Sequence, residues 1–264
     1  MTTEYQISCL AGYTEREQEM NRRLNELFEE WYACVKAGAE GPFKGRFDPA
    51  WFVTDGFYPR YTEQKPKILF IGREAHGIGG GSYIDVLHKC YRTNYIGERH
   101  INKYQFHYRQ FYIAYGLTNH YPSFEALPQA SELTPNFATP GGLSFAFMNF
   151  SKLSNETANP TRLNRPIVES FLECSRASGE NFFNREIAII EPDLIIAARL
   201  FPEWLDSGCL GELKKMPPVN EYVNCYLLKV KDQEIPLLNP FHFSAIKKDK
   251  EHFYDPIVES LRTF

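Results

Sequence analysis

The sequence predicts an α/β protein built as a three-layer α/β/α sandwich around a central, mostly parallel sheet. Three short apolar runs carry that expectation: KILFIG (67–72), FAFMNF (145–150) and DLIIAA (193–198). Near-continuous apolar character over so few residues suits strands covered on both faces. The runs alternate with stretches of helical character, as the layers of such a fold require. Several of them also end in polar residues, where open parallel sheets bind ligands.

In chain order, residues 14–37 place Met20, Leu24, Leu27, Phe28, Trp31 and Val35 at helical spacing. Thr14 and Glu17 form a capping box for this amphipathic N-terminal helix, and Gly38 and Gly41 help to end it. Residues 43–61 have no clean period; their aromatics line a pocket or fill core beneath the sheet. Pro66 introduces the strand at 67–72. The GIGGGS segment (77–82) is flexible or tightly folded, and has the spacing of neither a Walker loop nor a dinucleotide fingerprint. Residues 100–115 read as an aromatic and basic helix, and 117–142 as an irregular loop. After the strand at 145–150, residues 166–190 read as a helix with a break near Gly179. Pro192 introduces the strand at 193–198. YVNCYLLKV contains a further strand, EIPLLN (234–239) another with a polar tip at 242–244, and a helix over 249–262 closes the chain. No internal repeat or linker interrupts this order, so residues 1–264 are expected to form a single domain.

Composition bounds the function. The 264 residues include 21 Phe and 16 Tyr, ample for a core, and the formal charge is -4. A non-specific nucleic-acid coat would bring a basic excess, although a local basic patch remains compatible with this balance. The six cysteines contain no CxxC pair, which leaves structural zinc and iron–sulfur clusters unsupported and reads as buried free thiols. The first residues lack the basic flank and apolar core of a signal peptide, and no apolar stretch is long enough for a bilayer. A soluble, cytoplasmic protein with no membrane partner is expected, as a monomer.

The stretch ILFIGREAHG (68–77) runs an apolar strand straight into charge. Three predicted strand ends carry chemistry-bearing groups: Glu74 with Arg73 and His76, Asn149 with Lys152, and His242 with Ser244. Each alone is an ordinary turn cap or structural residue. A carboxylate, a carboxamide and an imidazole converging on one cleft make a candidate site.

In these residues the chain resembles the uracil-DNA glycosylase superfamily. That family's first motif follows a buried strand in forms such as GQDPY, GINPG or GEAPG, and its second is HPS followed by an apolar wedge. Here the first reads GREAHG (72–77) and the second HFSAI (242–246), while FMNFSKL resembles the strand that supplies the base-reading asparagine. IIEPDLIIAA resembles the helix and strand before the final motif, and the likeness in order spans about residues 66–260.

The resemblance implies a uracil-DNA glycosylase-like fold and hydrolysis of an N-glycosidic bond in DNA carrying a damaged or deaminated base, with no metal or organic cofactor. It gives Glu74 the position that orients water and faces the positive charge developing on the sugar. His242 would hydrogen-bond the departing base and Asn149 would read its edge. Ser244 would grip a phosphate, and Ile246 would enter the base stack with Lys247, Lys248 and Lys250 beside it. Gly72, Arg73 and Lys152 complete the expected backbone contacts. Phe57, Tyr58 and Tyr83 are the candidates to stack on a flipped base, with His76 beside them. Ala75 replaces the usual proline, His76 occupies the region of a tyrosine that excludes a 5-methyl group, and Phe243 replaces the proline of HPS. A strict preference for uracil is therefore not implied. Arg73 would either lower the pKa of Glu74 by charge pairing or meet a ligand phosphate.

Two other functions remain open at this point. One keeps the fold as a catalytically inactive protein that binds nucleic acid or a nucleotide-like ligand. The other is a small-molecule hydrolase using Glu74 and His76 with a metal, although their spacing is not HExxH.

Overall fold

The computed structural model describes residues 6–157 and 163–264. Its elements in chain order are α1 (Glu15–Glu40), β1 (Gly56–Phe57), β2 (Ile68–His76), α2 (Tyr83–Thr93), β3 (Tyr95–Ile96), β4 (Arg99–His100), α3 (Gln105–Thr118), α4 (Ala130–Leu133) and β5 (Ala146–Asn155). They continue with α5 (Arg165–Ala177), α6 (Phe182–Ile190), β6 (Leu194–Ala197), α7 (Pro202–Leu205), β7 (Leu213–Lys215), β8 (Asn224–Val230), β9 (Gln233–Asn239) and α8 (Asp255–Leu261). A π-helical turn, Lys250–Tyr254, leads into α8.

Seven strands form one sheet in the order β1-β5-β2-β6-β9-β8-β7, with helices on both faces, which is the expected three-layer arrangement. Strands β5, β2, β6 and β9 run parallel. At the edges β1, β8 and β7 run antiparallel to their neighbours, so the sheet is mixed rather than mostly parallel. Strands β3 and β4 form a separate hairpin. Side chains alternate across β2: Leu69 and Ile71 enter a core with Trp31 of α1, Phe171 of α5 and Ile187 of α6. Ile68 and Phe70 enter the opposite core with Phe111 of α3, Phe145 and Ile257 of α8.

Thr14 and Glu17 form the expected capping box at the start of α1. Buried Glu17 also accepts from the backbone N–H groups of Arg60 (3.1 Å) and Thr62 (2.9 Å), so the helix cap pins the segment that enters β2. The long helix expected at 166–190 is divided into α5 and α6 at Gly179, whose φ of +79° is a left-handed conformation that favours glycine.

Two strands outrun their apolar runs. β2 continues to His76, pairing Glu74 with Ser151 and His76 with Asn155 across an irregularity, and β5 continues through the polar SKLSN. Apolar character marks where a strand is greasy; ladder pairing and buried polar contacts decide where it stops. The irregular-looking segments hide further elements, among them β1, the β3–β4 hairpin, α4, β7, and α2 behind the glycine run. That run is tightly folded. Gly77 N–H donates to the Asn155 carbonyl (3.3 Å), Ile78 N–H to Ser154 Oγ (3.2 Å), and Ser82 caps α2 by accepting from Asp85 N–H (3.3 Å).

Candidate functional site

Glu74 sits near the carboxyl end of β2, buried between β5 and the residue that caps α5. Its Oε1 accepts from Asn155 Nδ2 (3.1 Å) and from Asn164 N–H (3.0 Å), while Oε2 is buried with no hydrogen-bond partner among the described residues. His76, exposed, brings Nε2 to 3.9 Å from Oε1. Burial raises the Glu74 pKa above its ordinary value, against the opposing pull of the Asn164 and Asn155 donors and the Arg73 charge. The lowering expected from Arg73 therefore loses to desolvation. Arg73 instead turns to the loop after β6: Nε and Nη2 donate to the Arg199 carbonyl (3.0 and 2.5 Å), and the guanidinium lies 4.4 Å over the Phe201 ring. Burial, with Arg199 nearby, pushes its pKa down to about 10.

Asn149 lies beside Gly72 in the β2–β5 ladder. A buried carboxylate not singled out in the sequence, Asp55, holds it: Asp55 Oδ2 accepts from Asn149 N–H (2.5 Å) and Nδ2 (3.3 Å). Asn149 Oδ1 is buried with no hydrogen-bond partner among the described residues. Gly72 is needed for space, since a Cβ there would meet Phe147 Cζ at 2.7 Å and Asn149 Oδ1 at 3.4 Å. The Phe147 ring in turn stacks on Tyr83, with centroids 4.5 Å apart and planes at 15°.

His242 follows β9. Its Nδ1 accepts from Ser244 N–H (3.2 Å), which leaves the neutral ring's proton on Nε2. Burial, reinforced by the positive charges of Arg73, His76 and Arg109, pushes its pKa down to about 4. Half-buried Phe106, at the start of α3, bridges the pieces: its ring lies 5.6 Å from that of His242 and 6.1 Å from that of Phe147.

The loop after His242 is held from inside by Arg109 of α3. Nη1 donates to the carbonyls of Phe243 (2.6 Å) and Ala245 (2.8 Å), Nη2 to that of Lys247 (3.0 Å), and Nε to Asp249 Oδ1 (2.8 Å). The clamp presents Ile246, 93% exposed, at the tip, with Ser244, Lys247 and Lys248 also exposed.

Three expectations are corrected by placement. Lys152 is fully buried, 2.6 Å from Asp55 and 2.8 Å from Glu186, on the Trp31 side of the sheet; an ammonium already shared by two carboxylates inside the core does not reach a backbone phosphate. Phe57 packs against Tyr13 and Tyr61 in that same core, on the face opposite Asn149. Tyr58 is fully buried among Phe137, Phe145 and Tyr91, with no face left for a base. Of the proposed aromatics only Tyr83 stands beside Asn149, through Phe147. The sequence reading passed over Asp55, Glu186, Phe106 and Arg109, each of which sits in an unremarkable local context; the one signal was a charged residue, Arg109, inside an otherwise aromatic helix.

A cavity of about 570 Å³ lies at the opposite, amino-terminal end of the strands, among Gln64, Tyr115, Asn119 and Gly142, and none of the buried polar atoms left without a partner belongs to its lining. Among the described residues no group of three His, Cys, Asp or Glu side chains is placed to hold a metal ion, and no helix is long and apolar enough to cross a membrane. No family model matches the chain, and neither does any curated protein or solved structure.

Proposed function

We propose that this protein has a uracil-DNA glycosylase-like fold and hydrolyses the N-glycosidic bond of a damaged or deaminated base in DNA. The observation that carries the reading is the buried Glu74 Oε2, without a hydrogen-bond partner among the described residues, near the end of β2, with Asn149 within the adjacent strand β5 and His242 in the loop after β9. An ionised Glu74 orients a water with Oε2 and stabilises the positive charge that builds on the sugar as the bond to the base breaks. His242, neutral and protonated on Nε2, donates to the oxygen of the departing base as negative charge gathers there. Asn149 reads the base edge. The nucleotide leaves the stack to reach them, with exposed Ile246 entering the gap and Lys247 and Lys248 near the phosphates.

The test is base release from oligonucleotides carrying uracil, hypoxanthine, xanthine or a mismatched thymine, single- and double-stranded, with wild type beside Glu74→Gln. Release that the substitution abolishes supports the glycosylase. A release rate unchanged by the substitution removes Glu74 from the mechanism. The second reading, a binding protein that does not cleave, is favoured by Ala75 and Phe243 at the two motif prolines and by the net charge of -4. It predicts retention of a uracil-containing strand with no base released.

A further inference from the structure

We infer that Cys34 and Cys174 form a peroxide-responsive modification site, in which the two thiols close to a disulfide that ties α1 to α5. The pair belongs to the Trp31 side of the sheet and does not depend on the glycosylase reading.

The two cysteines stand 140 positions apart, and the fold sets them face to face. Each thiol reaches across to the other residue's backbone. Cys34 Sγ lies 3.6 Å from the Cys174 carbonyl oxygen, and Cys174 Sγ lies 3.7 Å from that of Cys34. Side chains crossed in this way point toward each other, as a disulfide requires. Gly38, one turn along α1 from Cys34, makes the room: a Cβ there would stand 2.3 Å from Cys174 Sγ. A larger residue would push α5 away from α1.

Three of the six thiols meet solvent: Cys9 is exposed, and Cys34 and Cys90 are half-buried. The bond to Asp85 holds the Cys9 pKa up, and burial does the same for Cys90. Cys34 is shifted the other way. The Cys174 thiol donates to it and Ser178 adds a second donor, which together outweigh burial and hold its pKa below the ordinary cysteine value. The same bond, with burial, pushes Cys174 up and keeps its proton in place. One sulfur is a nucleophile within reach of solvent, and the other is a protonated partner beside it. This is how a peroxide-sensing thiol and its resolving thiol are arranged.

The Cys34 thiolate attacks one oxygen of hydrogen peroxide. The O–O bond breaks, the sulfur becomes a sulfenic acid, and the leaving hydroxide takes up the proton that Cys34 gave to solvent. The Cys174 sulfur then attacks the Cys34 sulfur. The S–O bond breaks, and the hydroxyl departs with the Cys174 proton as a second water. The thiols together lose two electrons, and one peroxide becomes two waters. The bond joins α1, whose cap holds the segment entering β2, to α5, whose capping residue Asn164 donates to Glu74.

The experiment treats native wild type, Cys34→Ser and Cys174→Ser with hydrogen peroxide, maps the cysteines by peptide mass spectrometry and follows folding by circular dichroism. Wild type is expected to lose two free thiols and yield a linked Cys34–Cys174 peptide that dithiothreitol separates, with its helical signal kept. Cys174→Ser is expected to stop at a sulfenic acid on Cys34, captured by dimedone, and Cys34→Ser to leave Cys174 reduced. Three results overturn the inference: overoxidised Cys34 with no linkage in native wild type, linkage only after unfolding in urea, or a Cys34 no more reactive than Cys90. If a serine variant does not fold, the wild-type map decides alone.

Discussion

The buried guanidinium of Arg109 donates to the carbonyl oxygen of Phe243 at 2.6 Å, across 134 positions of sequence. Through that bond and its companions to Ala245, Lys247 and Asp249, helix α3 sets the shape of the loop that follows His242. Lining a loop's carbonyls along one buried cation makes its backbone stiff while its side chains remain outside.

Replacing Arg109 with Met removes the cation: the Phe243 and Lys247 carbonyls lose that donor, while the Ala245 carbonyl keeps the Lys247 N–H and Asp249 keeps the Tyr108 hydroxyl. The expected cost is about 3 kcal/mol or more, because the partners of a broken buried pair keep their desolvation penalty. Urea unfolding gives the magnitude. Hydrogen exchange is expected to rise first at residues 244–248.

On the proposed glycosylase reading, Glu74 governs the pH dependence. Its pKa is raised by burial, and water activation requires the ionised form, so the rate of base release is expected to climb with pH through an acid limb above the ordinary carboxylate range. His242, shifted down to about 4, stays neutral along that limb. The sign for stability is the reverse. A carboxyl whose folded pKa is raised stabilises the fold below its unfolded pKa, and the contribution is lost as pH rises through the folded value. Glu74→Gln mimics the protonated form, so at pH 7 it should match or exceed wild type in urea while releasing no base.

Gly72→Ala places a methyl 2.7 Å from Phe147 Cζ, within the ring that supports Tyr83. Overpacking of this kind costs about 1–3 kcal/mol. The aromatic near-ultraviolet dichroism is expected to change with it, as the Tyr83–Phe147 stack is displaced. An unaltered spectrum and stability would show that the ring has room to retreat.

Ile246→Ala separates stability from engagement of the duplex. At 93% exposure the side chain contributes little to folding, and the change should stay within about 0.5 kcal/mol. Binding to a double-stranded oligonucleotide should weaken, while a single strand, which needs no wedge, should bind as before. Equal loss on both substrates would count against a wedge.

Local pattern carried most of the scaffold. The capping box of α1, the break at Gly179 and the parallel strands at 68, 146 and 194 were all visible, because each depends on contacts within a few residues or on a run of apolar side chains. Glu74 and His242 were legible as candidates because they follow such runs, and Asn149 because it interrupts one. The failures share one cause. Lys152 has the look of a surface lysine until Asp55, 97 positions away, and Glu186, 34 away, enclose it. Phe57 and Tyr58 are adjacent in sequence and belong to opposite cores, since successive strand residues point to opposite faces and local composition does not say which face is which.

The sequence by itself determined which segments fold and which of them end in polar chemistry, because propensity, capping and apolar period are properties of neighbouring residues. Only the tertiary structure decided which polar groups remain unpaired. Asp55 takes the amide of Asn149, Arg109 takes the carbonyls after His242, and Glu74 keeps one oxygen free of a hydrogen bond among the described residues. Pairing in a buried interior depends on distance and desolvation between residues far apart in the chain, and no local pattern records it.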